Sequence, residues 1–376
     1  GHASDNTLSD IVIALTSMSL GTVEFAFDHR LGEDEIQRRW KRIGGLWIDQ
    51  SMRRRFAERV QASASGSAEI ERRCDDPDAP SLVLWTSGTT GTPLGVTLSS
   101  RNLVGNAAAK LAAVPQTHDD VRLCVLPLSH AYARTCDLGT WLLSGCVLAV
   151  SLGYDGLQRL APLANPTLIN VVPSMAYRML EDPSLRGLDR LRLLGCGGAA
   201  LTPSAFERWQ HRGVTVIQGY GLTETSPVIC SATPDDAAPG LVGRFVDGWE
   251  SKIEDQQLLV RGPHVMLGYW DDPAATANRI GRDGWLATGD QVELCPSSGQ
   301  VRVLGRRDDV IVLDSARKIY PATVERAVEH VDGVRHALLI RRKGLELWFD
   351  ADPSIPAEQV REEILSVVEQ IDGLRD

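Results

Sequence analysis

Short apolar runs recur through the first two thirds of the chain. They are Leu82-Val83-Leu84-Trp85, Leu123-Cys124-Val125-Leu126, Val147-Leu148-Ala149-Val150, Leu168-Ile169-Asn170-Val171-Val172, Leu191-Arg192-Leu193-Leu194 and Val214-Thr215-Val216-Ile217. Each is short and bounded by Gly, Pro, Ser or Asp, which predicts buried strands. Helix-like stretches such as 101–114 lie between them. This alternation predicts an α/β fold of layered sheets with mainly parallel strands. Segment 11–28 reads as strand and helix packed on the same layer.

The pattern changes near Gly240. From there to Gly305, Gly and Pro punctuate short strand candidates such as Gln257-Leu258-Leu259-Val260 and Val301-Arg302-Val303-Leu304. Beyond Gly305 the chain is more charged. Pro321 opens a predicted helix with Val324, Ala327, Val328 and Val331 on one face. A strand is predicted over 345–349. Pro356 opens a last helix carrying Val360, Ile364, Val367 and Ile371. The reading is a large domain over 1–304, with a β-rich subdomain at about 240–304, then a linker at 305–309 and a small α+β domain over 310–376.

At 376 residues the chain is too long for one ordinary core. The net charge of −10, with no basic tract, argues against nucleic-acid binding. No apolar run approaches the ~18 residues that span a bilayer. The seven cysteines form no C-x-x-C pair and are odd in number, which points to reduced thiols and a cytoplasmic setting. The opening Gly1-His2-Ala3-Ser4 reads as an expression-tag remnant.

Candidate chemistry gathers after the apolar runs. Thr86-Ser87-Gly88-Thr89-Thr90-Gly91 puts hydroxyls and glycines where backbone amides can approach phosphate oxygens. Alone it reads equally well as a surface turn. Gln218-Gly219-Tyr220-Gly221-Leu222-Thr223-Glu224 joins an aromatic face to a carboxylate. Gly195-Cys196-Gly197-Gly198-Ala199 leaves room for a flat ligand, or enters a helix. Gly284-Trp285-Leu286-Ala287-Thr288-Gly289-Asp290 and Gly305-Arg306-Arg307-Asp308-Asp309 read by themselves as a capped turn and a solvated charge run.

Taken in order, these motifs resemble the acyl-adenylate-forming family, which holds acyl-CoA synthetases, luciferases and nonribosomal adenylation domains. The resemblance implies ATP and Mg²⁺ as cofactors, with coenzyme A as co-substrate. It implies a phosphate loop over Thr86, Ser87, Gly88, Thr89, Thr90 and Gly91. Gly197, Gly198, Ala199, Gln218, Gly219, Tyr220 and Gly221 would lie along the nucleotide. Thr223 would meet the α-phosphate, Glu224 would hold the metal, Asp290 would accept the ribose hydroxyls and Arg306 would contact ribose or phosphate. Asp309 falls at the hinge, and Ala316 on the thiol tunnel. Leu126-Pro127-Leu128-Ser129-His130 is similar to the segment that sets a histidine near the carboxylate and the thiol.

The implied activity is that of an acid–thiol ligase, most similar to fatty acyl-CoA synthetases for medium or long chains. Its partners would be a small carboxylic acid, ATP and CoA or a phosphopantetheine carrier protein. Three departures stand against the pattern. Leu94 replaces a Lys, Ala316 replaces a Gly, and the Lys expected near the family's C-terminus counts to a position beyond Asp376. They keep a degenerate nucleotide-binding protein open as an alternative.

Overall fold

The computed structural model describes residues 1–62, 76–86, 93–313, 318–331, 333–342, 344–352, 355–369 and 371. Five of the six apolar runs enter one sheet of seven strands. Its order is Arg244–Phe245, Val228–Ser231, Thr215–Gly221, Leu193–Cys196, Leu168–Val171, Val121–Cys124 and Val147–Val150. The five strands from Thr215–Gly221 to Val147–Val150 are parallel, and the other two are antiparallel. The parallel strands are apolar on both faces because helices cover both. On one side, Gly153–Ala164, Pro173–Glu181 and Pro203–His211 bury Leu157, Met179, Phe206 and Trp209 against Leu123, Ile169, Leu194 and Val216. Pro203 sits in the first turn of its helix, and Thr202 Oγ1 accepts from Ala205 N.

The run at 82–85 departs from the single-layer expectation. It lies in Pro80–Thr86, which folds back antiparallel on Leu94–Ser99 and builds a second sheet with His2–Ser4, Glu24–Asp28 and Gly268–Tyr269. A hairpin return keeps this run from crossing over into the first sheet. The start of the chain is also not an appendage. His2 is fully buried, with Nε2 at 2.7 Å from Glu24 Oε1 and Nδ1 at 3.2 Å from Asp10 Oδ1. Arg53 and Arg134 complete this buried cluster through Asp10 and Glu24.

The β-rich segment is an antiparallel sheet of Glu250–Glu254, Gln257–Arg261, Leu286–Leu294 and Val301–Arg306. Its apolar face packs on Ile229 and Cys230 at the margin of the seven-stranded sheet. Farther on, Pro321–Val328 and Ala357–Val368 pack against the hairpin Val334–Arg341 and Leu345–Ala351. Val324, Val328, Val331, Val360 and Ile364 form their own cluster there. Among the described residues no helix is long and apolar enough to cross a membrane.

Candidate active site

Strand Thr215–Gly221 leaves the sheet into the short turn Thr223–Thr225. The exit is tight: a Cβ on Gly221 would stand 1.7 Å from the Pro227 carbonyl oxygen. Only glycine lets the two backbones approach so closely. Beyond the neighbouring strand Leu193–Cys196, Gly198 turns with φ near +85°, a conformation glycine adopts without a steric cost. Both points lie past the carboxyl ends of parallel strands, where crevices open in α/β sheets.

Two cavities share lining residues there. One, of about 650 Å³, is lined by Gly197, Gly198, Gly219, Tyr220, Gly221, Thr223 and apolar side chains including Val125, Val172, Met175 and Ile217. The other, of about 530 Å³, is lined by Ala199, Gln218, Asp290 and Arg306, and again by Gly198 and residues 219–222. The shared strip is therefore a wall of both.

Electrostatics fix the second cavity. The Tyr220 hydroxyl donates to Asp290 Oδ2 at 2.6 Å, and Arg306 Nη1 donates to Asp290 Oδ1 at 3.1 Å. Burial pushes the Asp290 carboxyl above its ordinary value, against the pull of Tyr220 and Arg306. Burial and the Asp290 charge drive the Tyr220 phenol far above 10, so it stays a donor. A carboxylate offers about four acceptor positions, so Asp290 can take further donors.

Glu224 is nearly buried, and its Oε1 accepts from the Tyr269 hydroxyl at 2.8 Å. Arg279 Nη2 stands 3.7 Å from the same oxygen and donates to Thr288 O at 3.0 Å. Arg279 thus ties the Glu224 turn to the strand that carries Asp290. Met266 N donates to Glu224 O, Leu267 N to Thr97 O and Trp270 N to Gly95 O. That segment sets the Glu224 turn against the Leu94–Ser99 strand. No group of three or more His, Cys, Asp or Glu gathers to hold a metal among the described residues.

His130 lines the 650 Å³ cavity together with His29 and Arg30. Its Nε2 lies 3.1 Å from Asp28 Oδ2 and 3.4 Å from Arg30 Nη2. Burial alone would raise the Asp28 carboxyl, but hydrogen bonds from Arg30 outweigh it and hold the group well below the usual range.

The family of AMP-binding enzymes matches residues 9–270, most of the chain. The chain belongs to that family.

One relative of this AMP-binding enzyme is a methyl-dioxo-octahydroindenyl-propanoyl:CoA ligase of Rhodococcus jostii. The two are 34% identical over 294 residues, which cover 76% of this chain and 57% of the relative. Another is a long-chain-fatty-acid–CoA ligase of Escherichia coli O157:H7, 31% identical over 293 residues and covering 70% of this chain and 50% of the relative. The chain thus spans little more than half the length of these curated relatives. The crystal structure of ATP-bound MatB from Rhodopseudomonas palustris superposes with a TM-score of 0.83 at 23% identity, covering 99% of this chain and 82% of that one.

The fold therefore brings Gly197, Gly198, Ala199, Gln218, Gly219, Tyr220, Gly221, Thr223, Asp290 and Arg306 of the AMP-binding enzyme around two adjoining spaces. Thr86 lines neither of them; its Oγ1 faces Leu94 O at 3.4 Å. Ser87, Gly88, Thr89, Thr90, Gly91 and Ala316 lie outside the described residues. Asp309 is exposed in the turn Arg307–Asp309. Leu94 packs against the apolar cluster of Leu82, Leu84 and Val96. Sequence reasoning missed Tyr269 and Arg279, which hold Glu224. Arg279 ends the helix Pro273–Arg279 and reads there as an ordinary basic last-turn residue. Asp28 and Arg30, which lie beside His130, are about 100 residues away in the chain, with no local signal.

Proposed function

We propose that this chain binds ATP in the 530 Å³ cavity and a carboxylic acid in the 650 Å³ cavity, joins them as an acyl-AMP, and passes the acyl group to CoA. The observation that carries this reading is the strip of Gly198 and residues 219–222 that walls both spaces. Small residues there let a carboxylate and an α-phosphate come together. A carboxylate oxygen attacks the α-phosphorus, the bond to the β-phosphate oxygen breaks, and pyrophosphate leaves with the electron pair. The Tyr220 ring offers its face to adenine. Asp290 accepts the ribose hydroxyls, Arg306 contacts ribose or phosphate, and the Thr223 hydroxyl donates to the α-phosphate.

Glu224 fits a magnesium ligand. Its Oε2 carries no hydrogen bond among the described residues, and Mg²⁺ takes one or two carboxylates, completing its shell with phosphate and water. When bound, the ion offsets phosphate charge. In the second half-reaction the thiol sulfur attacks the acyl carbon, AMP leaves, and the thiol proton passes to solvent. His130 stands beside the acyl space, where the thiol enters. Residues 305–309 serve as the pivot, with Asp309 as the hinge residue, between 1–304 and 310–376. The separate apolar cluster beyond Ile311 supports that division.

The acid is large and mostly apolar. The names of the two relatives carry a fused-ring propanoyl group and a long fatty chain, and the cavity has volume for either. CoA is the thiol in both names. The test is release of AMP and pyrophosphate from ATP with a panel of such acids. The expected result is release that depends on the acid; equal rates with and without every acid would refute the reading.

A further inference from the structure

Resting on the reading of the 650 Å³ space as the acyl pocket, we infer that Lys110 on its wall recognises an acceptor oxygen at the far end of the acid. The preferred substrate is then a carboxylic acid with a distal keto or carboxylate group rather than a plain hydrocarbon chain.

Helix Ser100–Ala113 lies along strand Val228–Ser231, clipped by Asn106. Its Nδ2 donates to Val228 O at 2.7 Å, and its Oδ1 accepts from Val228 N at 2.8 Å. One turn later on the same face, Lys110 reaches the cavity and donates to Ser231 Oγ at 2.6 Å. The Ser231 hydroxyl proton is already given to Ala232 O at 2.8 Å, so Ser231 can only accept from the lysine. An ammonium has three donors. Among the described residues only this one is used.

The rest of that wall includes Ala133, Cys136, Ile217 and Val228. Asp137, next to Cys136, is turned toward Arg122 and Asn170, its Oδ2 has no hydrogen-bond partner, and it makes no ion pair with Lys110 among the described residues. The Asp137 Oδ1 is held by Arg122 Nη1 at 2.9 Å and Asn170 Nδ2 at 2.6 Å. Burial lowers the Lys110 ammonium from 10.5 to about 8, which still leaves it mostly charged at neutral pH. A desolvated cation with spare donors favours a ligand that brings an oxygen to it. Depth follows from strand register. Val228 pairs with Gly221 and Ser231 with Gly219. The register shifts between Val228 and Cys230, so Ser231 lies only two partner residues beyond Gly221, about 7 Å deeper than the turn where the carboxylate reacts. The acid's two oxygen-bearing ends would sit at those two places.

The experiment compares alkanoates, oxoalkanoates with a keto group near the far end, and alkanedioates of matched length. It measures kcat/KM for AMP formation by the full chain and by Lys110→Met. A site that bonds a polar group discriminates strongly against analogues lacking it, so oxo or dioic acids should exceed the alkanoate by roughly tenfold or more. Lys110→Met should collapse that ratio. Preference for the dioate identifies an anionic end and preference for the oxo acid a neutral one; both support the inference. An alkanoate used as well as its oxygenated partners overturns the inference and leaves the ligase reading standing. No AMP from any acid sinks both. If Lys110→Met does not fold, the wild-type ranking decides alone.

Discussion

Asp290→Asn is the substitution whose consequence can be worked most fully. The carboxylate accepts from the Tyr220 hydroxyl at 2.6 Å and from Arg306 Nη1 at 3.1 Å, and it is only 5% exposed. Asparagine keeps one neutral acceptor for Tyr220 but turns its amide toward Arg306 or toward the ligand. Hydrogen bonds to a charged group are worth about 1.5–3 kcal/mol and neutral ones about 1. Burial already disfavours the charged form, so relief of that cost offsets the weaker bonds and the urea midpoint should change little. Bonds to the ribose hydroxyls weaken by about 1–2 kcal/mol, so AMP affinity should fall by about 5- to 30-fold. Isothermal titration with AMP, beside urea unfolding of both proteins, separates the two effects. If the variant stays folded and AMP binds within about twofold of the wild type, Asp290 does not hold the nucleotide and the reasoning fails.

Two further outcomes are expected elsewhere. Glu224→Gln keeps an acceptor for Tyr269 but removes the charge beside Arg279. The gain in ATP affinity on adding Mg²⁺ should shrink at least ~10-fold in that variant, read by titration with and without the ion, and an unchanged gain would remove Glu224 from the metal site. At the other end of the chain, Asp10 is fully buried beside His2 and Arg53. Burial alone would raise its carboxyl, but the His2 and Arg53 contacts bring it down from 3.8 to about 2. A folded value below the unfolded one gives stability that is present above about pH 4 and lost as pH falls toward 2, on the order of 2 kcal/mol. Urea midpoints should fall more steeply over that window in the wild type than in Asp10→Asn, and parallel slopes would contradict the assignment.

Much of this architecture was legible before any coordinates. Runs such as 168–172 and 214–217 are apolar throughout, as strands covered on both faces must be, and glycine-rich exits marked where a ligand could approach. What stayed hidden was relational. Nothing in Leu82-Val83-Leu84-Trp85 distinguishes a strand of the first sheet from one that returns as a hairpin into a second. The burial of His2 had no local signal, because its partners Asp10 and Glu24 gather only on folding. Arg279 and Lys110 lie in ordinary helical contexts, and only packing shows that one braces Glu224 and the other faces a cavity. The strip at 219–222 was visible as a motif, but its position between two spaces was not.

The shared wall is tested most directly by one ligand that fills both cavities. A stable acyl-sulfamoyl adenosine, titrated into the full chain, couples the two halves at high effective concentration. It should bind at least about 100-fold more tightly than AMP. Binding no tighter than AMP, with the acyl tail contributing nothing, would mean that the two spaces do not open onto each other.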